Sequence, residues 1–197
     1  MKLFINLTKK VRVNIFGLLG IAPLALLNGA ECIVIMAAAA ALHEAAHFCA
    51  VSACGGKIKR VDIGFLSAEI IYGGEKMTLK SEIGNSLSGI AVNTALSAAA
   101  YFVYTITGDV RAAFFSLCNA SLAAVNLLPI RGLDGFNALY AFLQLKFDAN
   151  KAYSVCRKTS AVFVFVLAAV SFYAVIETGF NTSVILLFMI FADRMRT

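Results

Sequence analysis

Residues 32–54 read CIVIMAAAAALHEAAHFCAVSAC. This run is long and apolar enough to cross a bilayer, which takes about 20 apolar residues in a helix. Yet it carries His43, Glu44 and His47 near its middle. An ionisable side chain at that depth costs about 2.5–3.5 kcal/mol on insertion scales, so such residues are kept for a function or satisfied by partners. On a helix, residues four apart face one way, and His43 and His47 fall on one face with Glu44 beside them. They are the only two histidines in the chain. H-E-x-x-H on a helix presents two imidazoles to one zinc ion and a carboxylate to the water that zinc activates. The bland alternative is a helical histidine pair satisfied by its neighbours, with a paired glutamate.

The rest of the composition agrees with lipid as the solvent. Of the 197 residues 60% are hydrophobic, and the mean hydropathy is +0.84. That is more apolar surface than one small core hides. The net charge of +6 would suit a nucleic-acid partner. However, the charges sit between apolar runs rather than in one stripe, so no nucleic acid is expected. No low-complexity linker divides the chain, which reads as a single domain over 1–197. The five cysteines are widely spaced and mostly inside apolar runs, as small buried hydrophobes rather than a disulfide framework. Lys2, Lys9, Lys10 and Arg12 before the first apolar run resemble a signal peptide. A second apolar run follows at once, so the expectation is an uncleaved helix hairpinned to the next through Asn28-Gly29-Ala30-Glu31.

Six apolar segments are candidates for spans: 13–28, 32–54, 83–106, 112–128, 161–176 and 183–192. Residues 57–79 alternate in places and predict two or three short strands. Residues 129–135 contain Pro129, Gly132 and Gly135, and 136–147 is apolar but too short to span. The fold expected is an all-α membrane protein of about six transmembrane helices, with a small membrane-associated β-sheet after the second helix. With the N-terminus in the cytoplasm, 16 of the 17 basic residues fall on the cytoplasmic side and only Arg111 does not. This predicts a multi-pass protein of the cell membrane with both termini cytoplasmic.

A catalytic zinc usually takes three protein ligands and a water. Asp134, in N-L-L-P-I-R-G-L-D-G (residues 126–135), is the best-placed acid for the third position. Proline and glycine free the backbone there, and unwound backbone at membrane depth occurs only inside protein or beside water. Asp134 reads equally as a cap on the segment that follows. Cys49, Cys54 and Cys118 are chemically possible ligands, but their apolar surroundings suggest core packing.

An H-E-x-x-H in an early transmembrane segment followed by N-x-x-P-x-x-x-L-D-G resembles the site-2 protease family of intramembrane metalloproteases. The likeness covers residues 31–135 and is weak over the last two helices. Its small size and missing PDZ domain look most like the sporulation branch that processes pro-sigma-K. The resemblance implies a Zn2+ cofactor, His43, His47 and Asp134 as ligands, and Glu44 as the catalytic base. Family members carry G-P-x-x-N after the sheet. Here Gly89-Ile90-Ala91-Val92-Asn93 keeps the spacing without the proline. The resemblance therefore implies that Asn93, and similarly Asn126, holds substrate backbone or the developing oxyanion; the less favoured alternative for each is an amide tying two helices together. The sporulation branch often adds a C-terminal CBS domain. This chain ends at Thr197, so ATP sensing through such a domain is not expected. The implied function is regulated proteolysis of a transmembrane or membrane-associated protein substrate in the lipid bilayer, with room for a membrane-protein regulator. The alternatives are a non-enzymatic metal-handling protein, such as a zinc transporter, and an inactive protease-like scaffold.

Overall fold

The computed structural model describes residues 4–8, 11–63, 68–73 and 77–178. Helix α1 is assigned over Ile15–Ala53, but the chain turns back within it as the predicted hairpin requires: a straight helix of this length would span about 58 Å, whereas Val13, just before it, pairs with Ile63, soon after it. The helix is 39 residues long, and its Glu31–Ala53 part is one of four candidate membrane spans. The others are Leu79–Thr107, Val110–Leu127 and Ala149–Tyr173. Four helices of this kind describe a multi-pass membrane protein.

The expected architecture, about six spans with a small sheet after the second helix, does not hold. Among the described residues there are five helices, four of them apolar candidate spans. The first two predicted helices both fall within α1. The predicted sixth, 183–192, lies outside the described residues. The strands do not form a unit of their own after a second helix either. β1 (Phe4–Thr8) and β2 (Val11–Asn14) precede α1, and β3 (Lys57–Ile63) and β4 (Ala68–Gly73) follow it. They make one sheet of order β1-β2-β3-β4. The β2–β3 pair is parallel, joining Val11 to Val61 and Val13 to Ile63, while both outer pairs are antiparallel.

The chain packs as two compact units, Met1–Ala124 and Val125–Thr197. In the first, α2 (Leu79–Thr107) packs against α1. Thr78 caps α2, its Oγ1 accepting from the Ser81 N–H at 3.2 Å. Gly108, at φ +69°, closes it, donating to the Tyr104 carbonyl at 2.8 Å. Asp109 then receives the Arg111 N–H at 2.9 Å and starts α3 (Val110–Leu127). Ser116 Oγ donates to the Ser97 carbonyl at 2.8 Å and ties α3 back to α2. Arg111, the basic residue that the charge pattern leaves outside, forms an ion pair with Glu31.

The distribution of residues is that of a protein in lipid. Large apolar side chains such as Phe102, Ile106 and Val110 are exposed, whereas Asn85, Ser86, Asn93, Ser116 and Asn119 are buried. Without water to drive apolar groups inward, helices in lipid associate through small and polar residues.

In the second unit the chain leaves α3 at Leu128 and Pro129 and turns through Gly132, at φ +83°. Ile130 and Leu133 bury against Val164, with Leu128 and Leu167 packed around them. The Arg131 N–H donates to Ser160 Oγ at 3.0 Å. This brings the turn onto α5 (Ala149–Thr178), which starts well before the predicted 161. Between them is α4 (Asp134–Gln144), too short to span.

Candidate metal centre

Among the described side chains of α1, Ala39, His43, His47 and Val51 are almost fully enclosed. Each lies four after the last, so they form one stripe along the helix. Leu42 and Phe48, off that stripe, are exposed. The burial of the histidines thus follows from helix periodicity: they occupy the line that α1 presents to the protein interior. Glu44, one residue round, is half-buried.

The two rings meet edge to face, with centroids 4.8 Å apart and planes at 81°. His43 Nε2 and His47 Nε2 are 3.2 Å apart. Two nitrogens bound to one tetrahedral zinc at about 2.0–2.1 Å stand about 3.3 Å apart. The donor spacing therefore fits a shared metal ion.

The wall facing this stripe is α2. Its buried residues include Asn85, Gly89 and Asn93, again four apart. Gly89 lies directly against the histidines. A β-carbon there would stand 2.5 Å from His43 Cε1 and 2.6 Å from His47 Nε2. One turn earlier, the Asn85 carbonyl oxygen is 2.8 Å from His47 Nδ1. One turn later, Asn93 is fully buried, and neither side-chain polar atom has a hydrogen-bond partner among the described residues. Such a carboxamide is costly unless something transient satisfies it.

In the second unit, Asp134 is the first residue of α4 and half-buried. The N-cap is Leu133, which makes no side-chain cap bond, and Asp134 is the acidic residue of the first turn. Gly135 passes so close to the Leu127 and Leu128 carbonyls that no β-carbon fits. That is the physical reason for glycine after the aspartate. Asn126 lies half-buried in the last turn of α3. His43 and His47 in the first unit offer two imidazoles and Asp134 in the second a carboxylate, each a donor type that zinc accepts. Cys49 is exposed on α1 off the histidine stripe, and Cys54 is exposed just beyond the end of that helix.

Sequence reasoning picked Gly89 and Asn93 for their spacing but not for contact with the rings, and it missed Asn85 and Ser88. The available signal was the recurrence of small and polar residues every fourth position in an apolar helix.

No protein-family profile matches the chain, and no curated protein matches it in sequence. Among solved structures, the site-2 protease from Methanocaldococcus jannaschii is similar. It has a TM-score of 0.71 at 16% identity, covering 100% of this chain and 96% of that one. The chain thus has the fold of that protease.

Proposed function

We propose that this chain is an intramembrane zinc metalloprotease of the site-2 kind, cutting membrane-embedded or membrane-adjacent protein substrates. The observation that carries the reading is the 3.2 Å approach of two imidazole Nε2 atoms inside a candidate span, with a carboxylate beside them. The shared fold supports it. The sequence resemblance favours the pro-sigma-K branch within that kind.

His43 and His47 would hold the metal through Nε2, and Asp134 is proposed as the third ligand. Zinc, when bound, supplies a Lewis acid that makes water a nucleophile near neutral pH. Glu44 takes the proton of that water as its oxygen bonds to the substrate carbonyl carbon. Glu44 then returns the proton to the amide nitrogen as the C–N bond breaks, so the carboxylate ends as it began. Asn93, one turn from Gly89, donates its buried amide to the substrate backbone or to the developing oxyanion. Asn126 is a second candidate contact. Both termini are proposed to lie in the cytoplasm.

Co-expression with a panel of single-span membrane proteins tests the reading. Fragments should appear with the parent chain and not with Glu44→Ala. A panel cut equally by both would remove the protease assignment.

A further inference from the structure

His47 is turned from outside its own helix. The Asn85 carbonyl, 2.8 Å from Nδ1, can only accept a hydrogen bond, so Nδ1 carries the ring proton. Nε2 is then left with a lone pair for metal. Ser88 enters the same cluster. Its Oγ donates to the Asn85 carbonyl at 2.7 Å and lies 3.2 Å from His47 Nδ1. With its hydrogen committed to the carbonyl, the hydroxyl presents a lone pair to Nδ1–H. The ring proton is shared between the Asn85 carbonyl and Ser88 Oγ, and the serine proton closes the triangle.

A serine bonded to a carbonyl of its own helix is ordinary. The contact across to the α1 imidazole is not explained by that bond. Two acceptors at Nδ1 fix both the tautomer and the ring angle, whereas one carbonyl leaves the ring room to tilt. Outer groups of this kind typically change metal affinity about 10- to 100-fold when removed.

We propose that Ser88 is a positioning residue for His47, holding the imidazole with Nδ1 protonated and Nε2 directed at His43 Nε2. The proposal deepens the zinc reading and rests on it for its affinity arm. Its second arm needs no metal.

Zinc affinity is measured by chelator competition on the purified full chain, for the parent, Ser88→Ala and Ser88→Thr. The alanine variant should bind about tenfold more weakly, and threonine, which keeps the hydroxyl, should restore binding. In parallel, 15N-histidine spectra of the zinc-free protein report the tautomer of its two rings. One ring should gain the Nε2–H form in Ser88→Ala and not in Ser88→Thr. An alanine variant with parental affinity and unchanged tautomers overturns the proposal. So does a loss that tracks only a lower unfolding temperature of the zinc-free protein. A parent chain that binds no zinc would instead defeat the metalloprotease reading, and the zinc-free spectra would still judge Ser88.

Discussion

Gly89 on α2 lies against the His43 ring so closely that a β-carbon would come within 2.5 Å of Cε1. The same atom would press on His47 Nε2. The helix carrying the histidines and the helix facing them therefore meet where only a glycine fits. Gly89→Ala should displace one imidazole and lower both zinc content and cleavage at least about tenfold, since misplacing reacting groups by 1 Å can cost about 10²-fold. Gly84→Ala is the control, because a β-carbon there meets nothing within 4 Å. It should retain zinc and activity, with stability unchanged or raised by up to about 1 kcal/mol. Equal behaviour of the two variants would remove Gly89 from the site wall.

Glu44→Gln separates chemistry from binding. An amide does not accept the proton, so cleavage should fall by about 10²–10⁴. The histidines remain, so zinc content by metal analysis should match the parent. Near-parental turnover would take Glu44 out of its role.

Asp134→Ala should lower zinc content and abolish cleavage, while Cys49→Ser, Cys54→Ser and Cys118→Ser should do neither. Leu133 is the N-cap of α4, and Asp134 is the first residue of the helix. Full zinc occupancy in Asp134→Ala, with loss in a cysteine variant, would reassign the third ligand.

Asn93→Ala removes a buried carboxamide without breaking any hydrogen bond to the described residues. Its thermal stability and zinc content should therefore hold. Cleavage should drop by about 10²–10³, the usual effect of losing one donor to an oxyanion. A large fall in stability with normal turnover per folded molecule would make Asn93 a structural amide.

For orientation, single cysteines are placed in a chain whose own five are changed to serine. An impermeant reagent applied to intact cells should label Arg111→Cys, which is 72% exposed beside Glu31. It should not label Lys151→Cys. The reverse pattern would invert the proposed topology.

Much of the site was legible because it is local. The spacing of His43 and His47 fixes their common face through the 3.6-residue helix alone, and Pro129 and Gly132 mark a broken backbone wherever they stand. Apolar run length likewise marked a membrane protein. The number and joints of the helices were not legible. Residues 15–53 fall in one helical element, although the chain must turn back within it for β2 to meet β3. Nor was the sheet, because β2 pairs with β3 across the whole length of α1, a contact with no local signature. The tertiary structure alone decided what surrounds the histidines. One of the two groups at His47 Nδ1 is the Asn85 backbone carbonyl, and every residue has one. Which carbonyl arrives there depends on how α2 packs on α1, and residue type in one dimension does not encode that.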